Sequence, residues 1–272
     1  MTAPNDFSVT FDLWETLIID RPELDLDRGR LRYEGIHSAL SRLGIKLPLQ
    51  DLEKAYHDSA AQLQAVWGRN EHVRTIDQIR LIIRTASGST FSLPEDPEAI
   101  EMLLRAYVDP ILAVPPKLNE QAVMTLEGMR SRVQNIGLVS NTGRSPGWVL
   151  RQLIGRLGIL EFFDVTIFSD EVGWRKPDKH IFERAAIELG TDLHKIIHIG
   201  DDPEADVWGA KQAGMRAVLF DYPIPEGFKR LPSSLFALSR GDRRIKDSEI
   251  NPDGRIGSLK EALDFVDSLR RV

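Results

Sequence analysis

The sequence predicts an α/β fold, a doubly wound parallel sheet carrying an inserted helical domain, and three observations predict it. First, five short runs rich in Val, Ile, Leu and Phe, at 7–11, 136–139, 165–168, 196–199 and 217–220, are followed by segments with helical spacing of apolar residues. Strands that alternate with helices build a mostly parallel sheet covered on both faces. Second, more than a hundred residues separate the first run from the second, far more than an ordinary crossover needs. Third, Asp12 ends the first run in the phrase Phe11-Asp12-Leu13-Trp14-Glu15-Thr16-Leu17. A carboxylate where a strand stops lies in the crevice beyond the carboxyl edge of an open sheet, where such folds bind ligands.

Within the long insertion, Leu31, Ile36, Leu40 and Leu43 precede Gly44, and Leu49, Leu52, Tyr56, Leu63 and Val66 precede Gly68. Ile76, Ile79 and Ile83 mark a third helix, and Ile100, Leu103, Leu104, Tyr107 and Ile111 a fourth. Four amphipathic helices with short turns predict a small bundle over the sheet edge. The expected division is a core of residues 1–20 and 113–272 and a helical cap domain of residues 21–112.

In the core, Pro177 suits a first helical turn and Gly190 the residue past the end, with Ile181, Phe182, Ala185, Ala186 and Leu189 on one face between them. Asp202 before Pro203 reads as an N-cap, and Gly214 closes that helix. The stretch 221–255, with Pro223, Pro225, Pro232 and the charged run 240–244, reads as a long surface loop. Leu259, Ala262, Leu263, Val266 and Leu269 then predict a terminal helix. Trp67, Trp148, Trp174 and Trp208 fall in helical or near-helical patterns and are expected in the core. His198, inside an apolar strand, is expected as a hydrogen-bonded core residue.

The chain of 272 residues is 42% hydrophobic and 28% charged, the balance of an ordinary globular protein. No apolar run approaches the roughly 18 residues of a membrane span, and the first residues lack the features of a secretory signal. A cytoplasmic protein without a membrane partner is therefore expected. With no cysteine, disulfides, thiolate nucleophiles and cysteine-bound zinc are excluded. The formal charge of −6 argues against a nucleic-acid partner and favours a small molecule. The histidines show no metal-ligand spacing.

Four phrases carry a resemblance: Phe11-Asp12-x-x-x-Thr16, Val139-Ser140-Asn141, Lys176-Pro177 and Gly200-Asp201-x-x-x-x-Asp206. In this order, after strands and with an insertion after the first, they resemble the haloacid dehalogenase-like superfamily of hydrolases, over a span from Phe7 to about Phe220. The resemblance implies a Rossmann-like core, a helical cap that closes over the site, and phosphoryl transfer from a small phosphorylated substrate. It implies Asp12 as the nucleophile that forms an aspartyl phosphate. Ser140, Asn141 and Lys176 would hold the transferring group. The ligands of Mg²⁺ would be the Asp12 and Asp201 carboxylates and the backbone carbonyl of Trp14, with Thr16 and Asp206 supporting from behind. Phosphoryl transfer depends on positioning and on positive charge facing the phosphoryl oxygens, and these residue types provide both.

Trp14 departs from the pattern, because most phosphatases of the superfamily place there an aspartate that protonates the leaving group. The carbonyl ligand survives, but an indole shuttles no proton, and general acid help is worth about 10² to 10⁴ in rate. Glu15 stands where the superfamily commonly has glycine, and is either a displaced acid or an exposed ion-pair partner. The dehalogenases of the superfamily carry a bulky tyrosine at the position of Trp14 and work without a metal, which leaves a metal-independent 2-haloacid dehalogenase as an alternative. A catalytically impaired protein that binds a phosphometabolite or a partner is another. Arg30, Arg32, Arg69, Arg80 and Arg84 are candidate substrate contacts from the cap or simply solvated charges.

Overall fold

The structure is a computed structural model that describes residues 6–88, 93, 95–221 and 245–269. In chain order the strands are β1 (Ser8–Phe11), β2 (Ile18–Ile19), β3 (Lys117–Leu118), β4 (Ile136–Ser140), β5 (Val165–Phe168), β6 (Ile196–Gly200), β7 (Arg216–Phe220) and β8 (Gly254–Ile256). Six of them form one sheet in the order β5-β4-β1-β6-β7-β8, with every described pairing parallel. The chain runs outward from β1 through β4 to β5, then returns to the other side of β1 at β6. This reversal of strand order opens a crevice at the carboxyl ends of the strands. β2 and β3 form a separate antiparallel pair where the chain leaves and re-enters the sheet domain.

Both faces of the sheet are apolar because helices cover both. Val9, Phe11, Leu138, Ile197, Ile199, Val218 and Phe220 point to one side and join one core. Val139, Ile167, Ile196, Ala217 and Leu219 point to the other and pack on Ile181, Phe182 and Ala185.

The insertion folds as α1 (Pro22–Arg42), α2 (Leu49–Trp67), α3 (Thr75–Ala86) and α4 (Pro97–Val108), with α1 packed on α2 and α4, and α2 on α3. The fourth helix ends before Ile111. Pro110 has no N–H to extend α4, so Ile111 belongs to the separate turn α5 (Pro110–Ala113). In the sheet domain follow α6 (Ala122–Arg130), α7 (Gly147–Arg156), α8 (Ser169–Val172), α9 (Lys179–Leu189) and α10 (Gly209–Ala213).

Several expectations need correction. Pro177 precedes α9 rather than opening it, because Asp178 is the N-cap and its carboxylate accepts from His180 N. Asp202 caps as expected, accepting from Glu204 N and Ala205 N, but the first turn, Pro203–Trp208, is wound as a π-helix before α10 begins. The segment read as a loop contains β8, where Asp253 Oδ2 accepts from Ala217 N at 2.8 Å and so pins the strand to β7. Pro223, Pro225, Pro232 and residues 240–244 lie outside the described residues. The four tryptophans Trp67, Trp148, Trp174 and Trp208 are not core residues. Trp148 is 37% and Trp174 40% exposed, the first under the Arg105 guanidinium and the second stacked on the His180 ring. No helix among the described residues is long and apolar enough to cross a membrane.

Candidate active site

Asp12 follows the central strand, and its backbone N donates to Ile199 O at 2.9 Å, which places its side chain over the crevice between β4 and β6. From the loop before α9, Lys176 Nζ donates to Asp12 Oδ1 at 2.5 Å, to Asp206 Oδ1 at 2.6 Å and to Val139 O at 2.9 Å. All three charged side chains are buried. The lysine backbone is fixed by Asn141, whose Oδ1 accepts from Lys176 N at 2.8 Å and whose Nδ2 donates to Lys176 O at 2.9 Å. Asn141 thus ties the loop after β4 to the loop that carries the ammonium. Beside it, Ser140 is fully buried at the end of β4, with Oγ 3.3 Å from Asn141 O.

Asp201 follows β6 and brings a third carboxylate. Ligand oxygens of Asp12, Asp201 and Asp206 lie within 4.8 Å of one another. Asp206 is locked in place: besides Lys176, its Oδ2 accepts from Asp202 N at 2.9 Å, and His198 Nε2 lies 3.1 Å from its Oδ1. The approach of Asp206 to β6 requires Gly200, since a Cβ there would fall 2.3 Å from Asp206 Cγ. His198 is a fully buried, hydrogen-bonded residue, as expected.

Burial is the largest influence on Asp12 and pushes its pKa up to about 7, against the pull of Lys176. For Asp206 burial acts in the same direction, but Lys176 and His198 outweigh it and hold the carboxyl below its usual range. Burial likewise opposes the Lys176 ammonium, yet the two carboxylates win and raise its pKa. Two carboxylates on one ammonium with a third beside them gather hard oxygen donors of the kind that suit a cation such as Mg²⁺.

The phrase after Asp12 makes a tight turn in which Leu17 N and Ile18 N both donate to Leu13 O at 2.9 Å. Glu15 sits in it at φ +56°, the left-handed region that glycine tolerates best. Its Oε1 accepts from Asp20 N at 3.2 Å, so the carboxylate supports its own turn. Trp14 is half-buried against the main core. Thr16 is fully buried, and its carbonyl accepts from Asn119 Nδ2 at 3.0 Å.

Sequence reasoning missed a polar seam between the inserted helices and the loop after Ser140. Arg144 donates to Tyr107 Oη at 2.8 Å, Ser59 Oγ at 3.0 Å and Tyr56 O at 3.2 Å. Arg32, also weighed as a solvated charge, is 2% exposed and donates to Tyr107 O, Tyr56 Oη and Ser145 Oγ. Gln78 Nε2 adds a bond to Gly143 O at 3.1 Å. Arg30, Arg69 and Arg80 instead make exposed ion pairs with nearby carboxylates.

Comparison with known proteins agrees with this geometry. The family model described as haloacid dehalogenase-like hydrolase matches residues 8–214. A glyceraldehyde 3-phosphate phosphatase of Methanopyrus kandleri is 30% identical over 240 residues, covering 87% of this chain and 85% of that one. A phosphoserine phosphatase of Thermus thermophilus is 30% identical over 131 residues, 48% of this chain and 45% of the relative. Against several such relatives the chain spans only about half their length. Among solved structures, a 2-haloacid dehalogenase from Pseudomonas syringae pv. tomato shares the fold, with a TM-score of 0.66 at 21% identity over 97% of this chain and 99% of that one. A phosphatase of the same superfamily from Thermococcus onnurineus aligns with a TM-score of 0.55 at 21% identity over 96% and 97%. The match to the family model, which takes in the crevice and its four phrases, shows that the chain belongs to the haloacid dehalogenase-like hydrolases.

Proposed function

We propose that the protein is a Mg²⁺-dependent phosphohydrolase that acts on a small phosphate compound through an aspartyl phosphate on Asp12. The observation that carries this reading is the buried ammonium of Lys176, held between Asp12 and Asp206 with Asp201 alongside. Asp12 attacks phosphorus as the ester oxygen departs, and water then cleaves the acyl phosphate, which divides one hard displacement into two. Lys176 and the Ser140 hydroxyl take the phosphoryl oxygens, and Asn141 holds the Lys176 loop. The Asp12 and Asp201 carboxylates and the Trp14 carbonyl would hold Mg²⁺, which when bound offsets charge on the phosphoryl oxygens. Asp206, committed to Lys176, His198 and Asp202 N, supports from behind, as does Thr16.

The convergence of Asp201 and Asp206 on Asp12 favours a cation over the metal-independent dehalogenase reading. Relatives named for glyceraldehyde 3-phosphate and phosphoserine support a small organic phosphate as substrate. Residues 21–112 act as the cap, and their seam with residues 143–145 closes the site from above. With Trp14 supplying no proton, leaving groups that depart unprotonated, aryl or acyl, are preferred. Hydrolysis of p-nitrophenyl phosphate with Mg²⁺, its loss in EDTA and its loss in Asp12→Asn test the proposal. Turnover that survives EDTA or the substitution overturns it, and halide release from 2-chloropropionate selects the dehalogenase instead.

A further inference from the structure

The layer between the sheet and α9 is apolar, built from Val139, Ile196, Ala217 and Leu219 with Ile181 and Phe182. A pair of polar residues interrupts it beside the active site. Thr10 on β1 and His198 on β6 stand opposite each other in register, both fully buried. Room for Thr10 comes from Gly137 on the other side, where a Cβ would approach Thr10 Cγ2 to 3.0 Å. The Phe182 ring meets the imidazole edge-on, with centroids 5.1 Å apart.

A hydroxyl and an imidazole in such a layer cost stability unless both are hydrogen-bonded, and here they form one chain. Thr10 Oγ1 lies 2.9 Å from His198 Nδ1, and His198 Nε2 lies 3.1 Å from Asp206 Oδ1. The Asp206 carboxylate accepts, so Nε2 carries the proton, and Nδ1 is then the acceptor for the Thr10 hydroxyl. The ring is held in one tautomer and one orientation, as partners behind a working side chain do elsewhere. The same Asp206 oxygen receives Lys176 Nζ at 2.6 Å, and that ammonium reaches Asp12 at 2.5 Å.

We propose that Thr10 and His198 are positioning residues of the active site, which fix Asp206 and, through it, hold the Lys176 ammonium against Asp12. The inference rests on the phosphohydrolase reading only for its kinetic readout. With p-nitrophenyl phosphate and Mg²⁺, His198→Leu should lower kcat about tenfold, the lower end of the range for lost partners behind a metal or catalytic group, and leave KM within about twofold. His198→Gln, which keeps an N–H donor, should recover most of the loss. Thr10→Val should fall between the two, and Thr10→Ser should match the wild type. In an Asp206→Asn background, His198→Leu should add little, because the two act in series.

A second readout needs no substrate: in the metal-free protein, acetylation of Lys176 followed by mass spectrometry should quicken in His198→Leu and Thr10→Val, and stay slow in His198→Gln and Thr10→Ser. If the wild type leaves the aryl phosphate intact, the phosphohydrolase reading fails while Lys176 reactivity still decides this one. Should His198→Leu not fold, Thr10→Val and His198→Gln carry the comparison. Additive losses in the Asp206→Asn background, or Lys176 reactivity indifferent to all four substitutions, would overturn the proposal.

Discussion

Replacing Asp12 by Asn removes the proposed nucleophile, and in the metal-free protein it should also raise stability. Burial drives the Asp12 pKa from 3.8 to about 7 despite Lys176. At about 1.4 kcal/mol per pH unit, ionised Asp12 therefore costs the folded state roughly 4 kcal/mol at high pH. For a carboxyl whose pKa is raised on folding, the contribution to stability is full below about pH 4 and is lost as pH climbs to about 7. Asparagine keeps the volume and an acceptor for Lys176, and the pull of Lys176 on the charged form is already contained in the raised pKa. The gain at pH 8.5 is therefore on the order of 4 kcal/mol, a rise of roughly 10 °C at about 2–4 °C per kcal/mol. Thermal unfolding followed by circular dichroism in EDTA at pH 5, 7 and 8.5 measures it. The difference between variant and wild type should already be open in part at pH 5, widen to about pH 7 and then stay nearly constant, and Mg²⁺ should raise only the wild-type midpoint. A variant that melts lower than wild type at pH 8.5, or a difference that ignores pH, refutes the electrostatic reading of the cluster.

Lys176→Ala should lower kcat by roughly 10² to 10³, the loss on removing one electrostatic stabiliser; near-normal turnover of p-nitrophenyl phosphate would make the lysine a structural counter-ion only. Trp14→Asp should raise kcat/KM for an alkyl phosphate more than for an aryl phosphate, because it restores a proton donor. Folding is checked first by urea titration, as truncating a buried aromatic costs at most about 3–5 kcal/mol and Trp14 is only half-buried. Glu15→Gly should change stability by less than about 1 kcal/mol, since release from the left-handed region, worth about 1–2 kcal/mol, offsets the lost bond to Asp20 N and the added chain freedom. Glu15→Val should lose more than about 1 kcal/mol at the same site, and equal urea midpoints for the two variants would count against strain in this turn.

What was legible in the sequence was local. Asp12, Ser140 and Asp201 could be placed because each follows a run of β-branched and aliphatic residues, and a parallel sheet brings all such ends to one edge. Asp202-Pro203 and Gly214 could be read because capping acts within a few residues, and Gly214 takes φ +91° as that reading requires. Pro177 was misplaced by the same logic, since Asp178 competes for the cap and wins. β8 was illegible because Gly-Arg-Ile is too short to show alternation, and the strand is held by Asp253 bonding Ala217, 36 residues away. Periodicity put Trp148 on a helix without saying which side meets solvent. Nothing local marked Arg32, Gln78 and Arg144 either, because the bonds that build the seam reach partners between 24 and 113 residues distant. Glu15 is the instructive intermediate case. Its departure from glycine was visible, but only the backbone shows that the chain still makes the left-handed turn, with φ +56°. The loop is therefore held by its surroundings, the paired bonds to Leu13 O and the antiparallel clip of β2 on β3, rather than by the preference of the residue in it. Trp14 is carried on the same turn, half-buried against the core, and under the proposed function its side chain, rather than the loop path, is what the Trp14→Asp comparison tests.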